Sequence, residues 1–143
     1  MNEKSCGAIQ FRIIDNEIQY LIIKSLEPDS FWGFAKGHME GLETEEETCI
    51  REVFEETGIK IQIENNFRLI DKYKISEDVE KEVVIFLGNT EGQEVTIQKE
   101  EIMGYKWCDY NIAAQLITFD SSKTMLDKAN KFLNNTVIKK IYV

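Results

Sequence analysis

Three glutamates, Glu52, Glu55 and Glu56, are spaced so that a single helix would place them side by side. Like charges at this spacing destabilise a helix by roughly 0.2–0.5 kcal/mol per pair. A hard divalent cation prefers oxygen ligands and would offset the repulsion. The spacing alone leaves two interpretations open, a solvated acidic face or a metal site.

The helix that must position these carboxylates is predicted over residues 44–57. Thr44 and Glu47 form a capping box, in which each side chain satisfies a free backbone amide. Gly58 stands where a left-handed C-terminal cap is favoured. Helical periodicity predicts a core face opposite the glutamates. The residues of that predicted core face are Ile50, Val53, Phe54 and Thr57.

The remaining elements predict a mixed sheet covered by helices. A hairpin turns at Asp15-Asn16, and a long loop over residues 25–42 is typical of a functional segment. The predicted strands are residues 7–12, 18–23, 59–63, 67–75, 83–87 and 105–107. A second helix begins at Ser122 and ends near residue 133, and the tail 137–143 is predicted to add an edge strand. The inner face of this second helix would consist of Leu126, Ala129, Phe132 and Leu133.

Length and composition favour one domain over residues 1–143. The formal net charge of −9 argues against broad binding of long nucleic acid. No apolar run reaches the roughly 18 residues of a membrane span, and no signal peptide is evident, so we expect a cytoplasmic protein. Three scattered cysteines fit neither a disulfide framework nor a zinc site. With a single histidine in the chain, a Cys- or Ser-based nucleophile is disfavoured.

A wider pattern favours the metal site over the solvated face. Gly37, five residues, Glu43, seven residues and then Arg-Glu-Val-Phe-Glu-Glu-Thr-Gly-Ile at 51–59 match the Nudix box. The chain therefore resembles the Nudix hydrolases. The resemblance implies an α+β fold, the Nudix fold, with a mixed β-sheet sandwiched between α-helices. It also implies Mg²⁺ or Mn²⁺ as cofactor, and the implied metal ligands are Gly37, Glu52, Glu55, Glu56 and Glu101.

Segments outside the box resemble the asymmetrical diadenosine tetraphosphate hydrolases within the Nudix superfamily. These segments are residues 5–8, residues 32–40, the lysine-led strand 81–87, and Glu101 followed by Tyr105 and Trp107. The chain departs from that group at Ala35, where proline is usual, and at Gly41-Leu42, where Pro-Gly is common. Both departures free the loop on the substrate side.

The resemblance implies a role for each matching residue. Arg51 and Glu43 would orient the glutamates, although a surface ion pair is the alternative. Glu101, or its neighbour Glu100, would hold a further metal or act as general base, and a solvated acidic turn is the alternative. The implied phosphate contacts are Lys36, His38 and Lys81. Tyr73 would reach the phosphate chain or a base, and Tyr105 would stack on a nucleobase unless it is a core aromatic.

The implied reaction is attack of water on a phosphorus atom within a nucleotide polyphosphate. Diadenosine tetraphosphate cleaved in this way yields ATP and AMP. The alternatives are a pyrophosphatase of damaged or ordinary nucleoside triphosphates or of triphosphorylated RNA ends, and a non-catalytic nucleotide-binding regulator. The intact glutamates Glu52, Glu55 and Glu56 disfavour the regulator. We expect a monomer or a small homo-oligomer.

Overall fold

A computed structural model describes residues 2–26 and 30–142, with residues 137–142 described for the backbone alone. The strands are β1 Asn2–Ile14, β2 Glu17–Ser25, β3 Trp32–Gly33, β4 Ala35–His38, β5 Gln62–Ser76, β6 Val79–Asn89 and β7 Ile102–Cys108. The helices are α1 Glu45–Thr57, α2 Tyr110–Leu116 and α3 Asp120–Tyr142. No helix in the described part is both long and apolar enough to span a membrane.

The sheet is mixed, and β1 lies at its centre. Strand order is β3-β2-β1-β6-β5, with β4 also pairing with β1 and β7 with β2. Strands β1 and β6 are parallel, and the other pairs are antiparallel. The predicted hairpin is confirmed, because Asp15 and Asn16 have φ values of 51° and 65°, which a tight hairpin turn requires.

Helices cover both faces of this sheet. On one face α1 buries Cys49 and Val53 against strand residues such as Leu21 and Phe86. On the other face α2 and α3 pack against residues of β1, β2 and β6. The predicted inner face of the second helix is confirmed, with Leu126, Ala129 and Leu133 buried and Phe132 partly buried. The observed architecture is the predicted α+β sandwich.

The local signals of α1 are confirmed, but its predicted core face is partly wrong. Thr44 and Glu47 form both hydrogen bonds of the capping box, and Gly58 has a φ of 73°. Val53 and Thr57 are buried as predicted. However, Ile50 and Phe54 are 41% and 45% exposed. The buried line instead runs through Cys49, Val53, Glu56 and Thr57, a spacing that the helical period equally allows.

Four further elements differ from the prediction. The segment 25–42 contains β3 and β4, which are too short to show a periodic pattern. The separate strands predicted at 59–63 and 67–75 are largely one strand, β5, with an irregularity between Ile63 and Arg68. Helix α2 was not expected. The tail is helical to Tyr142, so the predicted edge strand is wrong; apolar content alone does not separate a strand from the end of a helix.

Candidate active site

Strand β4 brings Gly37 against the catalytic candidate Glu52. Gly37 pairs with Cys6 of β1, and its Cα faces α1. A Cβ atom built on Gly37 would lie 2.1 Å from Cδ of Glu52 and 2.2 Å from its Oε2. Only glycine therefore leaves room for this carboxylate beside the backbone of β4.

Arg51 ties the neighbouring acidic groups together. Its Nε donates to Glu43 Oε2 at 2.6 Å, and its Nη2 donates to Glu43 Oε1 at 3.0 Å and to the carbonyl of His38 at 2.9 Å. Its Nη1 donates to Glu52 Oε1 at 2.8 Å and lies 3.3 Å from Glu55 Oε2. These hydrogen bonds raise the pKa of Arg51, first through Glu43. The guanidinium is thus a rigid link between the loop before α1 and the glutamates on it.

Glu43 is the fixed point of this link. The Arg51 hydrogen bonds lower the pKa of Glu43 to about 2, with help from the backbone of Glu40 and the hydroxyl of Thr48. The Glu40 amide and the Thr48 hydroxyl donate to Glu43 Oε1 at 3.0 and 2.9 Å. A carboxylate held by this many donors stays ionised and holds Arg51 in one orientation.

Glu56 is the carboxylate of the acidic group whose burial is least compensated by partners. It is buried, and its Oε2 atom has no hydrogen-bond partner among the described residues. Burial first, and then the charges of Glu52 and Glu101, raise the pKa of Glu56 to about 8, against the opposing effect of the backbone of Lys36. Burial also raises the pKa of Glu52, against the effect of Arg51. The site therefore lacks the positive charge that would keep all of these carboxylates ionised.

This donor set fits a hard divalent cation in its chemistry. Glu56 offers an unpartnered oxygen, and Glu52, Glu55 and Glu101 are close enough to affect its pKa. In the described part of the chain, no three carboxylate, imidazole or thiol side chains converge into a complete ligand set as they stand. Arg51 hydrogen-bonds Glu52 and Glu55 instead, so their carboxylates would have to turn for a cation to bind.

A cleft of about 720 Å³ opens beside Glu56. Its charged lining residues are Lys36, Glu56, Asp71, Lys81 and Glu101. Its aromatic lining residues are Phe31, Trp32, Phe34, Tyr73 and Phe119. The cleft thus joins carboxylates, two lysines and aromatic rings in one cavity, a combination that suits an anionic ligand with flat rings.

The two lysines come from different strands. Lys81 lies on β6 opposite Tyr73 of β5, and Lys36 lies on β4. Burial lowers the pKa of Lys36 and the charge of Lys81 lowers it further, whereas Glu56 and Asp71 raise it. A multiply charged anion bound beside Lys36 would offset the effect of Lys81 on it.

Comparison with known proteins decides the family. The family model described as the NUDIX domain matches residues 7–128. The chain belongs to the Nudix family.

Two relatives of this Nudix hydrolase match nearly its whole length. It is 31% identical over 143 residues to the asymmetrical bis(5′-nucleosyl)-tetraphosphatase of Mus musculus and 30% identical to that of Rattus norvegicus. Each alignment covers 93% of this chain and 97% of the relative. A crystal structure of a C. elegans Ap4A hydrolase binary complex superposes with a TM-score of 0.84 at 24% identity. That alignment covers 93% of this chain and 98% of the other, and it shows the same fold.

Some predicted site residues of this Nudix hydrolase line the cleft and others do not. Glu101 lines it, whereas its neighbour Glu100 does not. His38 is exposed outside the cleft lining, and its backbone carbonyl is occupied by Arg51. Tyr105 lies outside the cleft and lines a separate groove with Trp107. The position of Tyr105 therefore does not support stacking on a base held in the cleft.

Aromatic residues that had no predicted role line the cleft instead. The rings of Phe31 and Phe119 meet edge to face with centroids 5.0 Å apart. Trp32 is fixed next to them, because its amide donates to the Thr118 hydroxyl at 2.9 Å and its carbonyl accepts from the Thr118 amide. The adjacent pair Phe31-Trp32 in a segment without periodicity was a usable signal. Phe119 lies between two helices and showed none.

Proposed function

We propose that this Nudix hydrolase cleaves dinucleoside tetraphosphates asymmetrically, releasing ATP and AMP from diadenosine tetraphosphate. The observation that carries the proposal is the cleft, which joins Glu56 of α1 to Lys36 and Lys81 and has aromatic rings in its lining. The similarity to asymmetrical bis(5′-nucleosyl)-tetraphosphatases supports the same substrate class. We further propose that residues 1–143 act as one domain.

The carboxylates of α1, together with Glu101, would hold the cofactor, Mg²⁺ or Mn²⁺. Glu52, Glu55, Glu56 and Glu101 supply carboxylate oxygens, and Gly37 a backbone carbonyl. Bound there, the cation would neutralise phosphate charge and activate a water molecule for attack. The Oε2 atom of Glu56 supports this assignment, because it is buried without a hydrogen-bond partner among the described residues and a bound cation would compensate its charge.

The other residues position the substrate and move the proton. Lys36 and Lys81 bind phosphate oxygens in the cleft, and His38, which is exposed outside the cleft lining, contacts the part of the phosphate chain that extends beyond it. Glu101 accepts the proton of the attacking water, since it is the carboxylate of its loop that reaches the cleft. Arg51 and Glu43 keep the helix carboxylates oriented. Phosphoryl transfer asks mainly for positioning and charge neutralisation, which these residues supply.

The two nucleosides would occupy opposite parts of the cleft. Tyr73 lies on β5, at one end of the strand order, and is 45% exposed. Phe31, Trp32 and Phe119 lie by β3, at the other end of that order. Rings at both places, with lysines between them, suit a molecule that has a base at each end of a phosphate chain.

A substrate panel with product analysis by chromatography tests this function. The panel compares dinucleoside polyphosphates, nucleoside triphosphates, nucleotide sugars and triphosphorylated RNA. We expect the highest kcat/KM for diadenosine tetraphosphate, with ATP and AMP as products. In water enriched with heavy oxygen, the label should enter a single product and report which phosphorus is attacked. ADP as sole product, or a strong preference for nucleoside triphosphates, would overturn the proposed substrate.

A further inference from the structure

Asp71 is a charged residue of the cleft that the proposed reaction does not use. It lies on β5 opposite Val83 of β6, two residues before Tyr73, which lies opposite Lys81. Side chains two apart on a strand point to the same face of the sheet, and Asp71 and Tyr73 both line the cleft. The carboxylate is therefore presented to whatever the cleft holds.

Asp71 is half-buried, and no described group makes a hydrogen bond or an ion pair with it. By contrast, two acidic residues of this sheet and helix are paired. Glu82, one residue before Val83, contacts Lys4 and Lys72, and Glu45 accepts two hydrogen bonds from Arg68. Lys36 senses the charge of Asp71 only as an electrostatic neighbour. A partly desolvated carboxylate with free lone pairs favours a donor supplied by the ligand.

The chemistry of that donor follows from the surroundings. A phosphate oxygen is excluded as a direct partner, because it has the same sign of charge. A neutral O–H or N–H group of the nucleoside remains, and hydrogen bonds to an ionised acceptor are among the strong ones. Asp71 lies next to Tyr73 and Lys81 and within electrostatic reach of Lys36. The part of a nucleotide joined directly to the phosphates is the ribose, and the base lies further away.

We propose that Asp71 accepts a hydrogen bond from a ribose hydroxyl of the substrate and so makes the enzyme selective for ribonucleotides. This inference rests on the proposed function only in requiring a nucleotide in the cleft. Asp71 acts on substrate choice and takes no part in bond cleavage.

The test compares wild type, Asp71→Ala and Asp71→Asn on the preferred substrate and on its 2′-deoxy, 3′-deoxy and inosine analogues. Glu77→Gln is the matched control, because Glu77 is an exposed carboxylate in the turn after β5. For wild type and the control we expect kcat/KM to fall about tenfold or more for one deoxy analogue, the usual scale for a hydrogen bond to a charged group. In Asp71→Ala the ribo-to-deoxy ratio should approach one, and Asp71→Asn, which keeps a carbonyl acceptor, should be intermediate.

Equilibrium binding of AMP and 2′- and 3′-deoxy-AMP provides a second readout, and melting temperatures identify variants that fail to fold. An unchanged ribo-to-deoxy ratio in both Asp71 variants would overturn the proposal. The proposal would also be overturned if wild type discriminated only against the inosine analogue and the Asp71 variants lost only that discrimination. The donor would then be the amino group of the base. A uniform gain for every substrate would show that Asp71 merely repels phosphate. If wild type prefers ATP to diadenosine tetraphosphate, the proposed function fails, but ATP and its deoxy forms still test Asp71.

Discussion

At the scale of single residues, Arg51 shows how one side chain fixes several others. Its planar fork contacts Glu43, Glu52 and the His38 carbonyl at once. Arg51→Lys keeps the charge but loses this geometry. We expect kcat to fall by roughly 10- to 100-fold, the usual effect of removing a group that orients metal ligands, with a much smaller change in melting temperature. Steady-state kinetics and thermal denaturation check this. A large stability loss with normal activity per folded molecule would show a purely structural role.

The raised pKa of Glu56 predicts how the stability of the protein depends on pH. Its pKa is raised from 4.5 to about 8 in the folded, metal-free protein. Between these pH values the folded state holds one proton more than the unfolded state, so this group makes stability fall as pH rises. In excess chelator, the wild-type melting temperature should decline over this range relative to Glu56→Gln. Glu46→Gln, which removes an exposed carboxylate from the same helix, should keep the wild-type decline. Parallel curves for wild type and Glu56→Gln would refute the shift.

Glu56→Gln should also lose turnover by orders of magnitude while staying folded, so activity and stability separate at this residue. Near-normal turnover in this variant would remove Glu56 from the site.

Phe119 and Tyr105 provide a matched pair of exposed aromatic residues, at 49% and 43% exposure. Phe119 lines the cleft and Tyr105 does not. Phe119→Ala should weaken substrate binding by roughly 1–3 kcal/mol if one stacked base is lost, whereas Tyr105→Ala should leave binding unchanged. Calorimetric binding of a slowly cleaved analogue measures both. The reverse result would restore the stacking role to Tyr105.

At the scale of elements, the contact between β4 and α1 is the critical one, and Gly37 lies in it. In Gly37→Ala the new methyl group would overlap the Glu52 carboxylate, the mobile end of a side chain, so the fold should survive. Displacing that carboxylate should lower turnover by about a hundredfold, as small misplacements in active sites do. Gly104→Ala is the control, because among the described residues, its two chain neighbours aside, no atom lies within 4 Å of its added Cβ. Steady-state kinetics and melting curves of both variants test this prediction. If Gly37→Ala were as active as Gly104→Ala, the Glu52 carboxylate would not need the room that Gly37 leaves.

The structural features that could be predicted from the sequence are those that local signals determine. The ends of α1 follow from Thr44, Glu47 and Gly58, whose effects act within one turn of helix. The rotation of α1 about its axis depends on the sheet beneath it, which is why Phe54 was placed on the wrong face. Tyr105 and Phe119 show the same limit in the site. Whether each of them lines the cleft depends on the pairing of β7 and on the path of the chain between α2 and α3. Neither is determined by neighbouring residues in the sequence.

At the scale of the whole molecule, metal binding should be visible as stability. A ligand that binds only the folded state stabilises it by about 2.7 kcal/mol at a hundred times its Kd. We therefore expect Mg²⁺ or Mn²⁺ to raise the melting temperature of wild type by several degrees, and that of Glu56→Gln by much less. Calorimetric scans with and without metal measure the shift. Activity that persists in excess chelator would contradict the metal requirement.

The parallel pairing of β1 with β6 has a consequence for how this protein is made. Phe11 of the first strand lies beside Asn89, so the middle of the sheet cannot close until residue 89 has left the ribosome. The β1–β2 hairpin emerges long before, and an isolated hairpin is at best marginally stable. Its apolar edge, which includes the buried residue Ile9, therefore stays unpaired through much of translation. A ribosome that stalls before residue 89 would present that edge as a template for aggregation.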